Sequence, residues 1–123
     1  MANDFLLADD PSGNDQVEDM HLRLTLGMSE YFVSVRGLID TAGLADIDPY
    51  GDTVWSPVEA SAMVERLQRT YDEVVTLWPR EGPGDWEPPP GVGRVGVVNF
   101  LFWLRRLFME AAARQKYVIA GGD

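Results

Sequence analysis

Between residues 57 and 78, apolar side chains fall at Ala60, Met63, Val64, Leu67, Tyr71, Val74, Val75 and Trp78, one unbroken stripe at helical spacing. Glu65, Arg66, Arg69, Asp72 and Glu73 take the opposite face, and Glu65–Arg69 is a favourable i,i+4 pair. Ser56-Pro57-Val58-Glu59 ahead of the stripe is a capping box, with proline at the first helical position where its missing N–H costs nothing. Pro79 ends the helix. A second long helix is expected from about Val95 to Arg114, with Val97, Leu101, Leu104 and Phe108 on one face and Phe100, Trp103 and Leu107 on another. A helix apolar over most of its girth is either central or half covered by a partner.

Nearer the N-terminus the period changes to two. Met20, Leu22, Leu24 and Leu26 alternate with His21, Arg23 and Thr25, the pattern of a half-buried strand ending at Gly27. Ser29 is then placed to cap a helix closed by Gly43, with Phe32, Val35, Ile39 and Ala42 at helical spacing. A hairpin competes for this stretch, because Tyr31-Phe-Val-Ser-Val is rich in strand formers and Gly37 would interrupt the helix. Tyr117-Val118-Ile119 predicts a short strand pairing with residues 22–26. Residues 80–94 hold four prolines and four glycines, a long stiff connector that Trp86 would pin to the body. Residues 1–19 carry six acids, no base and the turn formers Asp10-Pro11-Ser12-Gly13-Asn14, which predicts an acidic flexible arm. The pattern predicts a mainly α fold, with two to three helices, a short two-stranded β pair and one helical domain over 20–123. The alternative is α+β with an N-terminal hairpin.

Charge sharpens this picture. The first sixty residues contain twelve acids and two bases, the remainder eight of each, so the whole net charge of −10 sits in the N-terminal half. Such a surplus favours a basic partner and opposes nucleic-acid binding, since phosphates would be repelled. A chain of 123 residues suffices for a core without metal or disulfide staples, and the absence of cysteine excludes disulfides, Fe–S ligation and thiol catalysis. No basic n-region with an apolar run follows Met1, and no apolar stretch approaches the ~20 residues of a membrane span, so a cytoplasmic protein is expected, with no membrane partner.

No candidate chemistry holds up. Gly91-Val-Gly93-Arg-Val-Gly96 matches the spacing of a dinucleotide fingerprint, but three prolines replace the strand it requires, so no cofactor is expected. Asp46, Asp48 and Asp52 around Gly51 resemble part of a calcium loop whose final ligand would be Pro57, so no metal is expected either. His21 lies on the polar side of its strand without a second His, a Cys or a serine motif. Arg105, Arg106 and Arg114 are expected to meet the N-terminal acids within the fold.

Leu44-Ala-Asp-Ile-Asp-Pro-Tyr-Gly-Asp-Thr53, followed by Val54-Trp55 and a long helix, resembles a segment of small uncharacterised bacterial proteins with an Asp-Pro-Tyr-Gly-Asp-Thr turn. Those proteins also close on an aromatic strand ending Gly-Asp, as Tyr117 to Asp123 does. The chain departs from their pattern at Trp55 and Pro57. Some of them resemble immunity-type partners of secreted toxins; the resemblance implies no catalytic residue.

Physically, Pro49 and Gly51 reverse the chain before the capped helix, Asp48 or Asp52 can satisfy backbone N–H groups, and Tyr50 can lie across the turn. Asp46 is least explained by turn geometry and is the stronger contact candidate. The expected function is a non-catalytic cytoplasmic binding protein, in its specific form an immunity factor that masks the basic site of a toxin. Its contact set would be Asp46, Asp48, Tyr50, Asp52 and Trp55. Self-association through helix 95–114 is the alternative, and a small carboxylate enzyme the third reading.

Overall fold

The computed structural model describes residues 3–12, 17–48, 50–77 and 92–122, the side chains of residues 17–20 and of Leu77 excepted. Strands β1 (Asn3–Ala8), β2 (Val17–Leu24), β3 (Asp52–Trp55) and β4 (Tyr117–Gly122) form one antiparallel sheet in the order β2-β1-β4-β3. Helices α1 (Leu26–Val35), α2 (Pro57–Leu77) and α3 (Arg94–Arg114) complete the fold, with a single 3-10 turn at Leu44–Asp46. The fold is therefore α+β, which corrects the expectation of a mainly α protein with a two-stranded pair.

The sheet departs from expectation in each of its pairings. Asn3–Ala8 is no flexible arm but an inner strand, paired on both sides. Phe5 and Leu7 are completely buried while Asp4 and Leu6 between them are half-buried, so the strand turns one apolar edge to the core. Acid-rich neighbours hid this alternation in the sequence. β4 pairs with β1 and β3 rather than with residues 22–26, and β3 lies in what was read as turn and helix lead-in. β2 begins at Val17 and ends at Leu24, because Thr25 leaves the sheet to cap α1, its hydroxyl accepting from the Met28 N–H at 3.3 Å. The single helical domain over 20–123 is likewise replaced by one body that takes in residues 3–8.

α1 starts earlier and stops sooner than Ser29 and Gly43 suggested. Residues 31–35 are helical despite their strand propensity, since Tyr31, Phe32 and Val35 all reach the core from one face, Phe32 lying 6.4 Å from Phe100 ring to ring. Gly37 follows the helix and Gly43, at φ +78, opens the 3-10 turn. α2 obeys its sequence signals: the Ser56 N–H donates to Glu59 Oε1 at 3.0 Å and the Glu59 N–H donates to Ser56 Oγ at 3.2 Å. These bonds hold the Glu59 carboxyl below its ordinary range, the Ser56 N–H contributing most. α3 buries Val97, Phe100, Leu101, Leu104, Leu107, Phe108 and Ala111, and its contact with α2 is the most extensive between any two elements. No helix among the described residues is long and apolar enough to cross a membrane. Residues 80–91 of the connector, Trp86 among them, lie outside the described residues, as do Pro49, Trp78 and Pro79.

The segment leaving α1 is tied to α2 through Asp40. Both Asp40 carboxylate oxygens accept from the Arg66 guanidinium at 2.8–3.2 Å, one also takes the Ala42 N–H at 3.0 Å, and the Asp40 carbonyl accepts from the buried Thr70 hydroxyl at 2.6 Å. The Arg66 bonds hold the Asp40 carboxyl below its ordinary value against the opposing effect of burial, and they raise the Arg66 guanidinium. A carboxylate depressed in the folded state stabilises above its unfolded pKa of about 4, and that stability is lost as pH falls through the folded value. Asp40→Asn should therefore reduce the difference in urea midpoint between pH 7 and pH 3. The effect stays below about 1 kcal/mol, because the pair is some two-fifths exposed. An unchanged difference would show the pair to be neutral.

Candidate functional site

The turn into β3 projects from one end of the sheet and is fixed from three sides. The Asn3 side-chain amide, almost fully buried, donates to the Asp48 carbonyl at 3.0 Å. Asp48 Oδ1 accepts the Tyr50 N–H at 2.9 Å, an Asx-type bond that closes the turn on itself. The Gly122 N–H donates to the Gly51 carbonyl at 2.9 Å, extending the β3–β4 ladder into the turn. A Cβ on Gly51 would lie 2.6 Å from Asp48 Oδ2, so glycine is what lets that carboxylate fold over the backbone.

On this frame the five sequence-derived candidates separate. Tyr50 does not lie across the turn; it stands 72 % exposed. Asp48 and Asp52 flank it, both exposed, and neither forms an ion pair among the described residues. Asp46, the preferred contact residue, instead accepts from Arg36 at 2.6 Å and is neutralised within the fold. Trp55 is half-buried against the core: it stacks on Phe5 at 5.8 Å and meets Phe108 edge-on at 5.2 Å. Three candidates therefore share the tip, and two have structural duties.

Part of the N-terminal acid surplus is answered internally. Asp4 sits 3.4 Å from His21 and 3.6 Å from Arg23, Asp9 pairs with Lys116, and Asp40 pairs with Arg66. With Asp46, four of the twelve acids in the first sixty residues are thus paired with bases, while Asp48 and Asp52 at the tip form no ion pair among the described residues. Among the described residues Arg105, Arg106 and Arg114 form no ion pair with an N-terminal acid, contrary to expectation: Arg114 pairs with Glu110 on its own helix, and Arg106 lies against aromatic rings. Comparison of the chain with protein-family models, curated proteins and solved structures gives no match.

The chemistry available at the tip is that of recognition. Two carboxylates and a phenol there can accept hydrogen bonds and attract cations. Elsewhere, His21 contacts Asp4 on the polar side of the sheet. The hydroxyls of Ser34, Thr70 and Thr76 are spent on backbone carbonyls, so no hydroxyl among these is poised beside a base. No group of three or more His, Asp or Glu among the described residues is placed to hold a metal ion. Asn3 and Asp40 carry no local sequence signal, since their partners lie 45 and 26 residues away.

Proposed function

We propose that this protein is a non-catalytic binding module that inserts the Asp48–Tyr50–Asp52 tip into a cationic cleft of a protein partner, in its specific form as an immunity factor masking a basic toxin site. The observation that carries this reading is the exposed Tyr50 between two carboxylates that have no counter-ion among the described residues, in a fold that has paired Asp4, Asp9, Asp40 and Asp46 with its own bases. Tyrosine is enriched among the residues that dominate binding energy at interfaces, and carboxylates around it steer a cationic partner.

The test is binding of the product of the adjacent gene, measured by biolayer interferometry. Asp52→Lys and Tyr50→Ala should each weaken binding tenfold or more, and wild-type affinity should fall as salt rises. Asp46→Ala should leave affinity within twofold, because Arg36 already occupies that carboxylate. Binding indifferent to Asp52→Lys and to salt would defeat the reading.

Self-association through α3 is favoured by the exposure of Val95, Phe102, Trp103 and Met109, and opposed by the repulsion between two copies of net charge −10. A strict monomer in sedimentation would remove it.

A further inference from the structure

The outer edge of β2 faces a part of the surface whose character opposes that of the whole chain. β2 is an end strand of the sheet, and from His21 to Leu24 it opposes β1 without a slip, about 13 Å of straight edge. Beside it, between β2 and α3, lies a hollow of about 300 Å³. Leu22 and Leu107 supply apolar walls, and Trp103, 55 % exposed, forms one side. Arg106 and Arg114 on α3 and His21 on β2 line the same space.

Among the described residues the charge balance of this groove is positive. Glu110 is the one carboxylate among them, and it is taken up by Arg114 at 3.0 Å, one turn along α3. Arg106 has no carboxylate partner among the described residues; its guanidinium lies 5.9 Å from the ring centroids of both Phe102 and Trp103. Aromatic faces orient a guanidinium without neutralising it, so its charge remains available to an incoming anion.

We infer that the β2–α3 groove binds an extended acidic peptide segment of a partner protein, its carboxylates on Arg106 and Arg114 and its apolar side chains against Trp103 and Leu22. A strand edge supplies backbone hydrogen bonds to an extended chain, and alternate side chains of that chain reach the hollow. Charge selects the occupant. A second copy of this protein arrives with a net charge of −10 that repels the first copy as a whole, whereas a short acidic segment brings its charge only to the groove.

Fluorescence anisotropy of the intact chain with a fluorescein-labelled hexapeptide of alternating glutamate and leucine tests this. The acidic peptide should bind at least tenfold more tightly than its lysine–leucine counterpart. Arg106→Glu should abolish that preference, and Arg106→Gln should weaken binding severalfold. Both variants should melt at the wild-type temperature, since Arg106 is exposed. Asp52→Lys should leave peptide affinity unchanged, so failure here is distinguishable from failure of the tip as a docking site. Equal binding of both peptides, or indifference to Arg106→Glu, would overturn the proposal. So would full displacement by equimolar octanoate, which would give the hollow to a small carboxylate. A sedimenting dimer that Trp103→Ala dissociates would give it to a second copy and overturn it equally.

Discussion

Phe5→Ala is expected to lower the unfolding free energy by about 3–5 kcal/mol, read as a fall of roughly 1–2 M or more in urea midpoint. Phe5 is completely buried, stacks on Trp55 at 5.8 Å and meets Phe100 edge-on at 6.1 Å. Its strand is bonded to β2 on one side and β4 on the other, so the backbone around the vacated space is held and collapse can be only partial. Single domains commonly have only 5–15 kcal/mol in total, and a loss of this size would leave a chain close to its unfolding threshold. A midpoint within 0.3 M of wild type would mean that Asn3–Ala8 is detachable, as the acid-rich sequence first suggested.

Trp55→Ala should cost about 3 kcal/mol, at the low end for such truncations because the indole is only half-buried. Trp55→Phe, which keeps an aromatic ring against Phe5 and Phe108, should recover more than half of that. The pair of variants separates a structural duty from a contact duty. If Trp55 serves the fold, partner affinity measured on the folded fraction stays within threefold for both. A tenfold loss with Trp55→Phe, at unchanged stability, would return this residue to the interface.

The helices were legible in the sequence because their signals are local. Ser56 and Glu59 find each other within one turn, and the stripe from Ala60 to Val74 needs no knowledge of the rest of the chain. The sheet was not legible because its information is distributed. β1 reads as a polar lead-in until β4, almost the entire chain away, is placed beside it, and β3 contributes only four residues whose burial is partial. Thr25 illustrates the ambiguity: its alternation with Leu24 and Leu26 continues a strand on paper, while its hydroxyl caps a helix in the structure.

The candidate site followed the same division. Asp48 as a turn acceptor could be anticipated from Asp-Pro-Tyr-Gly, which is local chemistry. The pairing of Asp46 was not legible because its partner Arg36 lies across a turn whose path no periodicity reveals. The packing of Trp55 on Phe5 and Phe108 was not legible because a tryptophan beside an acidic loop looks alike whether it faces a partner or a core. The basic groove escaped notice altogether, since His21 and Arg106 sit far apart in sequence and only the β2–α3 juxtaposition joins them.

Placing β4 between β1 and β3 also sets a schedule for the newborn chain. While the ribosome is still reading the codons for α3, the N-terminal hairpin has been made but one flank of β1 stays bare. For that interval it offers an adhesive template to any like strand nearby. Assembly of the sheet must therefore wait until β4 has been made, and fragments released before it should be the aggregating species.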